Sequence, residues 1–307
     1  MSNRAFIIGT CITLLITVVA MCAAAEPATL DAALEPDRIV VSAGGEVAAA
    51  YTFTHDQKYP YFYPVNGPAT GESVTTESSE PYPHHHSLFF GCDKVEGHGY
   101  AGNYWQAANS AGQILSQGPK LTEEDGRVII EDVCLWKRPE KEPIIRDERR
   151  IVISAPSKNL RIIDFTITLN PLTDVRINKS NHSLFSARMV PELSVEQGGT
   201  LVNAEGAKNA EGTFGKKSPW CAYYGTRGGE TEGLAILQHP SNRWHPAPWF
   251  TRDYGFFSPT PIYWLEEDHV DLAEGEPLTL RYRVLVFAGT PEDLDIAREY
   301  ERYAAEK

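Results

Sequence analysis

Apolar residues in this chain repeatedly alternate with polar ones at a period of two, between glycine, proline, asparagine and aspartate punctuation. Such a pattern suits strands buried on one face and leaves little of the chain for helices. The runs fall at 38–41, 47–54, 127–136, 151–154, 160–169, 234–237 and 278–288. Within 160–169, Phe165, Ile167 and Leu169 share a face. Leu280, Tyr282, Val284, Val286 and Ala288 alternate in the same way against Arg281, Arg283, Leu285 and Phe287, as in a half-buried sandwich strand. A helical signature appears only after the last run. Thr290 can cap, Pro291 suits the first turn, Asp293 stands three residues after the cap, and Leu294, Ala297, Tyr300 and Ala304 form a stripe. The expectation is an all-β fold, a large antiparallel β-sandwich with one C-terminal α-helix against an edge or end of the sheets.

The N-terminus carries a different signal. Arg4 precedes an apolar run over 5–21, followed by Cys22, the small residues Ala23, Ala24 and Ala25, and then Glu26. A basic start, a short apolar stretch and an A-x-A site predict a signal peptide over 1–25, with export of residues 26–307 as one secreted or periplasmic β-sandwich domain. An uncleaved anchor and acylation at Cys22 are the alternatives.

A formal charge of −13 with no Lys/Arg cluster argues against nucleic acid as a partner. No later run reaches the ~20 apolar residues of a membrane span, so no membrane association is expected after cleavage. Beyond the leader only Cys92, Cys134 and Cys221 remain, enough for at most one disulfide.

Three segments carry mixtures of groups unsuited to core strands. In 58–68, Tyr59, Tyr61, Phe62 and Tyr63 lie between prolines, a stiff ribbon whose rings suit stacking on sugars. In 83–93, His84, His85 and His86 precede Asp93; in an extended chain His84 and His86 share a face, a possible pair of metal ligands or of acid–base groups. In 239–255, Asn242, Trp244, His245, Trp249, Arg252 and Asp253 crowd a proline-stiffened loop. The three are expected to converge on one pocket, although each could equally serve as a structural loop.

Tyr61-Phe62-Tyr63-Pro64, the His84-His85 pair before Ser87-Leu88-Phe89-Phe90-Gly91, Pro219-Trp220-Cys221, and the stretch from His239-Pro240-Ser241-Asn242 to Arg252-Asp253-Tyr254-Gly255 together resemble an uncharacterised bacterial family that carries the name methane oxygenase PmoA. The resemblance runs over most of the chain after the leader. Where that family's pattern has Asp-His-Pro before the paired histidines, this chain has Pro81-Tyr82-Pro83, so a role for that carboxylate and imidazole does not transfer. The name does not transfer as an activity either, because a methane oxygenase subunit spans the membrane several times. The family looks closer to β-supersandwich proteins such as sugar mutarotases. Asn181-His182-Ser183-Leu184-Phe185 is similar to the Asn-His-x-x-Phe element of aldose mutarotases, and that likeness implies His182 as the acid that protonates the sugar ring oxygen.

Two functional classes follow. One is an exported enzyme acting on a carbohydrate or other small molecule, a hydrolase or a mutarotase-like isomerase, with His84, His85, His245 or His182 moving protons and Asp93 or Asp253 as the carboxylate. The other is a non-catalytic glycan-binding domain in which Tyr61, Tyr63, Trp244 and Trp249 stack on sugar while Asn242 and Arg252 bind hydroxyls. Residue pattern alone names no cofactor and leaves the metal question of the histidines open.

Overall fold

The computed structural model describes residues 27–106 and 108–306. The leader expected over 1–25 lies outside them. Six of the seven runs lie within a strand and the run 47–54 overshoots its strand, which ends at Thr52; among the described residues the strands form two sheets of eleven and nine strands, with antiparallel pairing between neighbours. The main path of the first sheet runs in the order Leu30–Leu34, Arg38–Ala43, Glu46–Thr52, Tyr61–Val65, Leu88–Gly97, Ser183–Arg188, Phe256–Pro259, Trp249–Arg252, with Tyr100–Tyr104 and Val175–Asn178 also paired to Leu88–Gly97 and His269–Leu272 paired to Val175–Asn178. The second runs Thr200–Asn203, Trp220–Arg227, Glu230–Gln238, Leu278–Ala288, Leu160–Pro171, Ile145–Ser157, Arg127–Lys137, Gln113–Ser116, with Lys120–Glu124 also paired to Arg127–Lys137.

Aromatic rings join the sheets. Phe165 of the second sheet stacks on Phe185 of the first at 4.8 Å, and Phe185 stacks on Tyr282 at 4.9 Å. These rings belong to one buried cluster that draws on both sheets, the layer a sandwich needs for its two apolar faces. Cys92, Cys134 and Cys221 are all buried in it as free thiols. No helix among the described residues is long and apolar enough to cross a membrane.

Several expectations need correcting. The C-terminal helix has its capping box, with Thr290 and Asp293 bonded reciprocally, but Asp295 in the left-handed region (φ 55°) splits it into Pro291–Leu294 and Ile296–Ala304. It lies on the outer face of the second sheet rather than an edge: Ile296 and Tyr303 pack with Leu160, Leu237, Leu285 and Phe287 in a second cluster. Hence Leu285 and Phe287, expected to face solvent, are fully buried. A short helix, Asn209–Thr213, has no apolar stripe to announce it. Lastly, the supposed loop segments contain strands, Tyr61–Val65, Leu88–Gly97 and Trp249–Arg252, all in the first sheet.

Candidate functional site

Strand register builds the centre of the site. Ser183 pairs with Cys92 and Leu184 with Gly91, so the next rung sets His182 opposite Asp93, and the Asp93 N–H donates to the His182 carbonyl at 3.0 Å. The side chains then meet, with His182 Nδ1 3.1 Å from Asp93 Oδ2. An ionised carboxylate only accepts, so Nδ1 carries the hydrogen and Nε2 is left for exchange. Trp105 stacks on the imidazole at 5.6 Å. Two residues after His182, the buried Leu184 holds a left-handed backbone (φ 69°), a strain of about 1–3 kcal/mol of the sort concentrated at functional sites.

Alternation supplies the other wall. Trp249 points inward, stacked on Phe257 and donating through Nε1 to the Ser218 carbonyl at 2.8 Å. Its neighbour Phe250 and then Arg252 point to the opposite face, where they meet Tyr254 and Phe256 around a cavity of about 230 Å³. Tyr82, His84, His85, Gln106, Asn181 and His182 complete the lining. His84 and His85 rings lie 4.5 Å apart, and His84 lies 6.5 Å from His182. His84 Nε2 and His85 Nδ1 are buried without a hydrogen-bond partner among the described residues.

Burial dominates the imidazoles. It pushes His85 down to about 2, reinforced by the nearby His84 ring and the Arg188 guanidinium. His84 is lowered by burial and then by His182 and His86; His86 is lowered chiefly by burial. All three are therefore neutral at pH 7. The unfolded chain titrates near the ordinary 6.5, so below that pH it takes up protons that the fold refuses. The stability these groups contribute is present above 6.5 and is lost as pH falls, at up to about 1.4 kcal/mol per pH unit for His85 alone. Denaturation of wild type and His85→Gln between about pH 6 and pH 4 should give a shallower acid limb in the variant by roughly that slope. Equal slopes would show that His85 is not held neutral in the fold.

The expected three-segment pocket forms only in part. His84, His85, His182, Arg252 and, behind His182, Asp93 come together. Tyr61 stands beside them, 3 % exposed, with its hydroxyl on Glu77 at 2.5 Å and its ring 5.2 Å from His86, so it offers no stacking face. Tyr63 is half-buried and packs on the main core. Asn242 is turned to the second sheet, exchanging hydrogen bonds with the Arg281 backbone at 2.9 and 2.8 Å. His245 faces the C-terminal helix, with Nε2 2.9 Å from the Tyr300 hydroxyl. Trp244 packs against the core beneath Arg243. Asp253 accepts from the Ala210 N–H at the short helix, 2.8 Å away. His86 packs on Tyr59 and Tyr61, so His84 has His85 rather than His86 as its neighbour. Among the described residues, no three His, Cys, Asp or Glu side chains are grouped to hold a metal ion. Tyr82, Trp105, Gln106, Asn181, Phe250, Tyr254 and Phe256 are residues of the site that pattern reading did not nominate; Tyr82 occupies the position where the resembled family has histidine.

Over residues 38–301 the chain matches a family model described as a family of unknown function (DUF6807), and it belongs to that family. The comparison attaches no methane oxygenase name to it. No curated protein matches. Solved structures with a similar fold include a galactose mutarotase related enzyme from Lactobacillus acidophilus, at 9 % identity over 85 % of this chain and 97 % of the other, TM-score 0.38. An α-galactosidase from Lactobacillus brevis matches at 9 % identity over 91 % of this chain and 43 % of the other, TM-score 0.42. At such scores neither likeness carries a function to this chain.

Proposed function

We propose that this member of the family is a sugar-directed acid–base enzyme of the mutarotase kind, and that the cavity beside His182 takes a single sugar ring. The observation that carries this reading is the Asp93–His182 pair, 3.1 Å apart, opening beside two imidazoles with unpartnered buried nitrogens. Opening a pyranose requires a proton to leave the anomeric hydroxyl as the C1–O5 bond breaks and a proton to arrive at the ring oxygen. His182, oriented by Asp93 through Nδ1, exchanges the proton at the ring oxygen through Nε2. His84, kept neutral by burial, accepts the anomeric proton. Two imidazoles in contrasting surroundings divide acid and base work in this way.

The size of the cavity favours a small ligand, since about 230 Å³ falls below the ~300 Å³ at which drug-sized pockets begin. Hydrolysis is the weaker half of the enzymatic reading. It needs two carboxylates flanking one bond, whereas no Asp or Glu is among the lining residues, Asp93 stands behind His182, and Asp253 is engaged at Ala210. A stacking platform is weaker too, with Trp249 at 0 % and Tyr61 at 3 % exposure.

Polarimetry on freshly dissolved free sugars tests the proposal. Faster approach to the anomeric equilibrium for at least one sugar is expected, and no acceleration for any neutral or acidic hexose would end the enzymatic reading. Export belongs to the same proposal: the leader motif supports it, and an exported enzyme would meet free sugars arriving from outside. Mass spectrometry of the exported protein should find Glu26 at the N-terminus, and Met1 there would exclude cleavage.

A further inference from the structure

We infer that the sugar carries a carboxylate, so that the substrate class is the uronic acids, with Arg252 as the group that selects it; this rests on the cavity being a sugar site. Arg252 lines the cavity while its guanidinium packs against two phenyl rings that meet edge to face, 4.1 Å from the Phe250 centroid and 4.7 Å from that of Phe214. Those contacts restrict how far the fork can swing. A single hydrogen bond, from Nη1 to the Thr251 carbonyl at 3.0 Å, uses one donor. Among the described residues Arg252 has no carboxylate partner, and most of its five N–H donors are uncommitted.

The surroundings have the same sign. No acidic side chain lines the cavity, on a chain whose formal charge is −13. Arg188, 1 % exposed with a buried, unpartnered Nη1, stands close enough to His85 to depress its protonation. Arg252 in the lining and Arg188 beside His85 thus give the recess two positive charges, against the carboxylate of Asp93 behind His182, in an otherwise acidic molecule, where low-dielectric walls concentrate the field. A neutral hexose gains nothing from that arrangement. A planar carboxylate meets a guanidinium edge with two parallel hydrogen bonds, a geometry arginine provides and lysine does not.

Calorimetric titration of the full chain with glucuronate, galacturonate, glucose, galactose and glucose 6-phosphate tests the inference by binding alone. At least one uronate should bind about tenfold to a hundredfold more tightly than its neutral counterpart. Arg252→Gln should erase that difference with the melting temperature close to wild type, and Arg252→Lys should restore only part of it. If Arg252→Gln fails to fold, Arg252→Lys alone decides, because retention of the whole preference would overturn the assigned role of the fork. Equal binding of acid and neutral sugars, or tighter binding of the phosphate, would also overturn it. A uronate that binds without being interconverted leaves this inference standing and removes the proton-transfer reading. A neutral hexose interconverted without acid preference does the reverse, and no sugar binding at all removes both.

Discussion

His182→Gln is expected to lower kcat for anomer interconversion by about 10²–10⁴-fold, the usual contribution of one positioned acid–base group, with KM changed only a few-fold. Glutamine is chosen because its amide can still donate to Asp93 Oδ2, now 3.1 Å from the imidazole, so the carboxylate, 9 % exposed, is not left without a partner. Alanine would strand that carboxylate at a cost of about 1–3 kcal/mol and confuse chemistry with stability. Asp93→Asn should also depress kcat, by less, because its amide can face Nδ1 with either oxygen or NH₂ and no longer enforces one tautomer. Its defect should come with a shifted pH–rate profile, which a merely structural role of Asp93 would not produce. Retention of activity within tenfold in His182→Gln would remove the pair from the mechanism.

How much of this was legible in the residues follows from what a strand pattern can and cannot encode. Alternation located the strands in both sheets, because burial of one face imposes period two directly. It failed at Trp249 and Arg252, grouped together as loop residues because Pro246 and Pro248 disguise the following strand. Residues three apart on a strand lie on opposite faces, which is why Trp249 is in the core and Arg252 in the cavity. His182 and Asp93 were each nominated from separate motifs, but their meeting depends on register between strands about ninety positions apart, which no local pattern contains. His245 and Asn242 resembled site residues by composition, yet their loop is tied to the Leu278–Ala288 strand and the C-terminal helix by bonds to Arg281 and Tyr300. Gln106 and Trp105 gave no signal, since an amide beside an aromatic is ordinary in any loop.

The largest expected loss of stability lies away from the site, at Asp147→Ala. Asp147 and Arg149 face inward two residues apart on the Ile145–Ser157 strand, with side chains 0 % and 1 % exposed. The carboxylate accepts from Arg149 Nε and Nη2 at 2.9 and 3.0 Å and from Trp136 Nε1 at 2.7 Å, while Arg149 Nη1 reaches the Pro60 carbonyl of the first sheet at 3.4 Å. Removing the carboxylate leaves a guanidinium in the core with one weak acceptor and an indole N–H with none. Breaking one side of such a pair costs about 3–5 kcal/mol, a large share of the roughly 5–15 kcal/mol that holds a domain together. The paired replacement Asp147→Leu with Arg149→Met removes both charges and should recover part of that loss, because two desolvated ions and their mutual attraction nearly cancel while the Trp136 N–H still lacks its acceptor. Urea denaturation of the single and double variants measures the difference. A single variant within about 1 kcal/mol of wild type would mean that water reaches Arg149 and that the two sheets do not close over it.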